Sequence, residues 1–231
     1  MKGRIIGALW IIAALLLCYF CFDGVLMNFL IGFCLLMGLA EIVAVTDYQN
    51  WRMKPDACPP RKAWVLESCV LILAIIACFY LTPQEFAVVI LTSALSDLGA
   101  FTIGKLFGKH HIDSIRKISP NKTFEGYIGG AFAQWLTLLF CPIFGFTVAT
   151  PQLLIYVFVS GFVAEMGDLL GSATKRQLGM KDSAEALETF SPGFRILEWP
   201  IRGHGGYLDR IDSLSLCIVV FAIIKVLASL A

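Results

Sequence analysis

A chain of 231 residues with 58% hydrophobic and only 15% charged side chains has too little polar surface to coat a soluble domain of its size, and its mean hydropathy of +0.79 places it among integral membrane proteins. The formal net charge of +1 says little about partners, and no nucleic-acid partner is expected. What remains is an all-α class: a polytopic transmembrane helical bundle, one membrane domain over residues 1–231.

A helix that crosses a bilayer needs roughly 20 mostly apolar residues, and about seven stretches qualify. In chain order they run Ile5 to Phe22, Val25 to Val45, Val65 to Leu81, Phe86 to Ile103, Ile128 to Phe146, Leu153 to Leu170 and Leu214 to Leu230. The first follows Lys2 and Arg4, as the apolar part of a signal peptide would. A second apolar stretch comes after only Asp23 and Gly24, with no small-residue cleavage pattern, so the pair reads as a retained helical hairpin. Residues 1–81 thus hold the N-terminal spans and 86–231 the region where chemistry is expected. Two connections there, Gly104 to Tyr127 and Gly171 to Ser213, are too long and too rich in Gly, Pro and charge to be simple hairpins.

Seventeen of the eighteen Lys and Arg residues fall in alternate connections, those around Asp23, Pro83 and Pro151 carry none, and Lys225 lies within the last span with no role assigned. Basic loops stay on the cytoplasmic side, so the N-terminus is predicted cytoplasmic and the C-terminus external. Such a face suits anionic lipid headgroups or polyphosphates, although topology alone would also produce it. The eight cysteines, only Cys58 of them in a loop, read as small buried apolar residues. The Cys18-x-x-Cys21 pair has no second pair with which to build a zinc or redox site.

Ionisable groups at membrane depth are costly and usually face a polar interior. Asp97, Glu165 and Asp168 are such groups; Glu41 and Glu67, near cytoplasmic ends, read instead as interhelical hydrogen-bonding groups or wet helix ends. In Glu165-Met-Gly-Asp168-Leu-Leu-Gly-Ser172-Ala-Thr-Lys175-Arg176, helical periodicity gathers two carboxylates, a hydroxyl and a basic pair on one face. Carboxylates so placed can hold Mg²⁺, and the Lys-Arg pair can bind phosphate oxygens.

A second element, Gly203-His204-Gly205-Gly206-Tyr-Leu-Asp209-Arg210-Ile-Asp212, precedes the last span. Asp209 and Asp212 would share one face of a first helical turn, and the glycines would let backbone amides approach an anion. On its own, this pair of aspartates reads more readily as an ordinary charge pattern at a helix start beside a flexible turn. A third element, Ile118-Ser119-Pro120-Asn121-Lys122-Thr123-Phe124-Glu125-Gly126, enters the fifth span, with Ser96-Asp97 upstream. Ser119, Asn121 or Thr123 can cap the following helix, and Lys122 with the free amides can bind phosphate. His110 and His111 read as loop residues.

The arrangement Ser172-x-x-Lys175-Arg176-x4-Lys181-Asp182 followed by His204-Gly205-Gly206-x-x-Asp209-Arg210-x-Asp212 resembles the signature of the phosphatidate cytidylyltransferase family, also called CDP-diglyceride synthetases. Ser96-Asp97 and the Ser119 to Gly126 segment resemble further family features. Three departures stand out: Ser183 to Gly203 lengthen the link before His204, Arg202 stands where Pro or Gly is usual, and Thr174 replaces an apolar residue.

The resemblance implies transfer of CMP from CTP to phosphatidate, giving CDP-diacylglycerol and pyrophosphate. It implies a metal site at Asp168, Asp209 and Asp212, joined by Glu165, for Mg²⁺ and a second cation. Lys175, Arg176, Lys181 and Arg210 would hold phosphates, with Lys122, Ser172 and Asp97 as substrate contacts. His204 either binds phosphate or is structural. The transfer needs charge neutralisation and in-line positioning more than a protein nucleophile, because a phosphomonoester is already nucleophilic near neutral pH. Alternatives are a CDP-archaeol synthase, a CTP-dependent polyprenol or phytol kinase or, from another class, a small transporter. The one-sided clustering of polar groups argues against the last. A multi-pass protein of a bacterial inner membrane with a cytoplasmic site is expected, and a homodimer is among the oligomeric states left open.

Overall fold

The structure, a computed structural model, describes residues 25–52, 62–116, 118–120, 122–145, 150–177 and 206–230, and among these no strand occurs. The helices are α1 (Val25–Arg52), α2 (Lys62–Cys78), α3 (Pro83–Phe107), the short α4 (Asp113–Arg116), α5 (Phe124–Ala133), α6 (Thr137–Phe140), α7 (Pro151–Gln177) and α8 (Leu208–Leu230). The stretch predicted at Ile5 to Phe22 lies outside the described residues, as do Lys181, Asp182, His204 and the segment from Ser183 to Gly203.

Among the described residues, five helical segments are long and apolar enough to cross a membrane: Leu26–Val43, Pro83–Phe107, Phe124–Ile143, Pro151–Gln177 and Leu208–Leu230. The stretch expected at Val65 to Leu81 forms α2, which has 17 residues. At 1.5 Å per residue it reaches about 26 Å, just short of a hydrocarbon core roughly 30 Å thick. The fifth stretch is not one continuous α-helix. It passes through 3₁₀ turns at Gln134–Leu136 and Cys141–Phe144, the second carrying Pro142, which has no N–H to donate. Large apolar side chains such as Phe79, Phe132, Leu139 and Leu230 face outward, as lipid-facing residues do.

Local chemistry sets where the helices begin. Thr82 accepts from the Glu85 amide at 3.4 Å, Glu85 Oε2 accepts from the Thr82 amide at 2.7 Å, and Pro83 opens α3, a complete capping box. Lys225 near the end of α8 donates to the same Glu85 carboxylate at 2.7 Å and to the Tyr80 carbonyl at 3.1 Å. The charge that the sequence left without a role therefore fastens α8 to the turn between α2 and α3. Thr123 caps α5 by accepting from the Gly126 amide at 3.2 Å.

Two glycine-lined crossings bring the helices that carry polar residues into close contact. α3 packs chiefly on α5 and α7 chiefly on α8. A Cβ at Gly126 would stand 2.9 Å from the Ala100 carbonyl, and one at Gly167 would stand 2.6 Å from the Asp212 carbonyl, so only glycine permits either approach. Buried Tyr156 of α7 and Phe221 of α8 meet edge to face, with centroids 4.7 Å apart, in the apolar core behind the second crossing.

Candidate active site

The described helices that reach across the bundle alternate in direction, so the ends of α3 and α7 and the starts of α5 and α8 meet at one end of it. A cavity of about 550 Å³ opens there, lined by Asp97, Phe101, Lys105, Ser119, Lys122, Tyr127, Glu165, Asp168, Asp209 and Asp212, among others. Its volume is that of a small-ligand pocket.

Two lysines organise its carboxylates. Lys122, on the approach to α5, stands 2.5 Å from both Glu165 Oε2 and Asp168 Oδ2 of α7, with its ammonium 5.2 Å from the centre of the Tyr127 ring. Burial pulls this ammonium toward its neutral form. Asp168 and then Glu165 more than offset that effect, so Lys122 is held above its ordinary pKa and stays charged. Lys175, two turns beyond Asp168 and one beyond Gly171, donates to Asp209 and stands 3.7 Å from Asp212 Oδ2. A Cβ at Gly171 would fall 2.6 Å from the Asp212 Cβ, so the bare backbone of α7 is what admits this aspartate.

Hydrogen bonds hold the remaining acids in place. Asp209 Oδ2 accepts from the Gly206 amide at 3.0 Å, and Asp212 Oδ1 from the Ser213 amide at 2.8 Å. Ser213 also donates its hydroxyl to Asp97 Oδ2 at 3.2 Å, which leaves Ser93, 3.1 Å away, to donate to Ser213. A polar ladder thus joins α3 to α8 beneath the cavity. Oε1 of Glu165 is buried without a hydrogen-bond partner, an unmet acceptor beside the cavity.

The profile of the cytidylyltransferase family matches residues 69–228, more than half of the sequence. The chain belongs to that family. It is similar to the phosphatidate cytidylyltransferase of Staphylococcus saprophyticus, 39% identical over 120 residues that cover 52% of this chain and 40% of that protein. It is likewise similar to the phosphatidate cytidylyltransferases of Staphylococcus aureus strain COL, at 38%, and Staphylococcus haemolyticus, at 37%, over the same shares. The matched stretch spans well under half the length of these curated relatives. No solved structure matches the chain at a significant level.

Six of the expected site residues come together as lining of this cavity: Asp97, Lys122, Glu165, Asp168, Asp209 and Asp212. Lys175 joins them through Asp209. Arg176 is exposed and not among the lining residues, and its Nε donates to the Ile118 carbonyl at 3.4 Å. Arg210 is exposed, and Ser172 is half-buried and not among the lining residues. Lys181 and His204 fall outside the described residues.

Among the described residues, no three His, Cys, Asp or Glu side chains are gathered tightly enough to hold a metal ion by themselves. The expected metal set is instead divided between the two lysines. His110 and Glu125 brace the loop: His110 Nδ1 lies 2.5 Å from Glu125 Oε1, and Glu125 Oε2 accepts the Lys109 amide at 3.1 Å. Sequence reasoning missed Tyr127, Lys105 and Ser213. Ser213 sits one residue after Asp212, on the side of the turn that faces Asp97, a relation that needs the α3–α8 packing to be seen.

Proposed function

We propose that this protein transfers CMP from CTP to phosphatidate, forming CDP-diacylglycerol and pyrophosphate. The observation that carries this assignment is the cavity at one end of the helices, where five carboxylates and the adjoining lysines meet in a member of the cytidylyltransferase family. The names of the similar staphylococcal proteins support the same substrates.

In the reaction, an oxygen of the lipid phosphate forms a bond to the α-phosphorus of CTP. The bond from that phosphorus to the bridging oxygen breaks, and pyrophosphate leaves with the electron pair. The phosphate monoester is already an anion near neutral pH, so no residue need abstract a proton. Lys122 and Lys175 are placed to exchange their carboxylate partners for phosphate oxygens, with Arg176, Lys181 and Arg210 assigned to the outer phosphates and Ser172 and Asp97 to substrate positioning. Both substrates are anionic, and the cavity holds more carboxylates than lysines, so added cations are required for them to enter. The hard oxygens of Asp168, Asp209, Asp212 and Glu165, the last with its unmet Oε1, fit Mg²⁺ and a second cation. The bound ions would neutralise phosphate charge and polarise the α-phosphate.

The proposed setting is a bacterial inner membrane crossed by about seven spans, the five apolar helices together with α2 and the first apolar stretch. With the N-terminus cytoplasmic, the cavity would face the cytoplasm, where the described basic residues Lys105, Lys109, Arg116, Lys122, Lys175 and Arg176 also gather. CTP would then arrive from water and phosphatidate from the adjacent leaflet.

The test is incorporation of label by purified protein given phosphatidate, Mg²⁺ and CTP labelled at either the α- or the γ-phosphate. Lipid labelled only from α-labelled CTP is expected. Lipid labelled from the γ-position would show a kinase instead.

A further inference from the structure

We infer that Glu41 of α1, which lies outside the family-matched residues 69–228, is a positioning residue that sets the catalytic turn of α8. Its part in catalysis depends on the CMP transfer proposed above. Glu41 is 1% exposed in an apolar helix, an expensive place for a carboxylate. Its two oxygens divide the labour: Oε1 accepts from the Tyr207 amide at 2.8 Å and Oε2 from the Leu208 amide at 2.9 Å. These are opening amides of α8, which have no partner within their own helix.

A helix's own cap side chain reaches the amides two or three places further in. The amides of the cap residue Tyr207 and of Leu208 lie before those, and here their acceptor comes from another helix. The rest of α1 is shaped to deliver it. At Gly38, about one turn before Glu41, a Cβ would lie 3.7 Å from the Leu208 Cα and meet the flexible end of Ile211 at 2.4 Å, so α1 runs close against the first turn of α8. Earlier on α1, Phe33 meets the Tyr207 ring edge to face, with centroids 6.2 Å apart. Buried Met37 packs on the same ring.

The site side chains follow directly. Asp209 is the residue after Leu208, and Asp212 lies one turn further along the same face. Fixing amides 207 and 208 therefore fixes both carboxylates as one rigid unit against Lys175. Bidentate capture resists rotation of the turn as well as translation, which a single acceptor would not.

The experiment compares wild type, Glu41→Gln and Lys225→Met in detergent, the last as a control at the opposite end of α8. Glu41→Gln keeps the shape but sets an amide N–H group against one of the two backbone N–H groups. It is expected to lower kcat about tenfold or more, the scale of a small misplacement, with KM for CTP within about twofold of wild type. Backbone amide exchange over residues 206–213 should quicken in Glu41→Gln and not in Lys225→Met. Glu41→Gln that keeps wild-type kcat, or leaves exchange at 206–213 unchanged, would overturn the assignment. Should Glu41→Gln fail to fold, Glu41→Asp, which draws the carboxylate back by one methylene, carries the same two expectations. Wild type that labels no lipid from CTP would sink the proposed reaction alone; the exchange comparison would still decide whether Glu41 holds the turn.

Discussion

Lys175 donates to Asp209 across 34 residues of sequence, while its ammonium also stands 3.7 Å from Asp212. One side chain thus ties the basic motif that ends α7 to the paired aspartates that begin α8. All three groups are largely buried, with side-chain exposures of 11%, 14% and 8%. Removing the lysine alone would leave two carboxylates in a poorly solvated place.

Lys175→Met is therefore expected to destabilise the protein by about 3–5 kcal/mol, the cost of breaking one side of a buried ion pair. Activity should fall at least about a hundredfold. Adding Asp209→Asn should recover part of the stability, because it removes one of the stranded charges, but none of the activity. Thermal unfolding of the single and double variants in detergent measures the coupling; strictly additive losses would show that the pair is not energetically linked.

Much of this site could be read along the chain, because helical periodicity alone places Glu165, Asp168 and Lys175 on one stripe and Asp209 with Asp212 on another. What periodicity cannot give is the partner of each group. The pairing of Lys122 with Glu165, or of Glu41 with the amides of Tyr207 and Leu208, depends on which helix faces pack. That packing is set by glycines such as Gly126 and Gly167, whose role shows only once the opposing backbone is known. Helix ends shifted for a related reason. An apolar criterion starts the last span at Leu214, whereas α8 begins at Leu208 because its polar first turn is bonded by neighbouring side chains.

The α7–α8 crossing makes a further claim. Gly171→Ala would press a methyl group against Asp212, with 2.6 Å to its Cβ and 3.0 Å to Oδ2, and neither the helix backbone nor a short, hydrogen-bonded aspartate can yield easily. The expected outcome is a loss of kcat of about tenfold or more in protein that still inserts into membranes. Gly32→Ala on α1, where nothing lies within 4 Å of the added carbon, should be silent. Equal activities for the two variants would show that the close approach has no bearing on the chemistry.

At the other end of the bundle, the Lys225–Glu85 pair belongs to the architecture and not to the reaction. Its side chains are 28% and 14% exposed, so Lys225→Met is expected to cost only about 1 kcal/mol, seen as a small drop in unfolding temperature. Specific activity of the folded fraction should stay within about twofold of wild type, because the bond lies at the start of α3 and the cavity at its end. A selective loss of activity without loss of stability would place Lys225 in a role this geometry does not provide.

The balance of charge in the cavity gives the last expectation. Among the described residues at the cavity, the carboxyl groups of Asp97, Glu165, Asp168, Asp209 and Asp212 outnumber Lys105, Lys122 and the adjoining Lys175. Under the proposed reaction two anionic substrates join them, and added cations would supply the balancing charge. Chelation with EDTA should abolish CMP transfer, and Mg²⁺ should restore it. Glu165→Gln keeps the size of the side chain and removes one charge next to the cavity. It should raise the Mg²⁺ concentration needed for half-maximal rate several-fold while leaving the rate at saturating Mg²⁺ comparatively high. In Asp209→Asn, by contrast, activity should stay low at every Mg²⁺ concentration, because that carboxylate also holds Lys175 and the Gly206 amide. Full activity in EDTA would remove the metal from the scheme and leave the lysines to carry charge neutralisation alone.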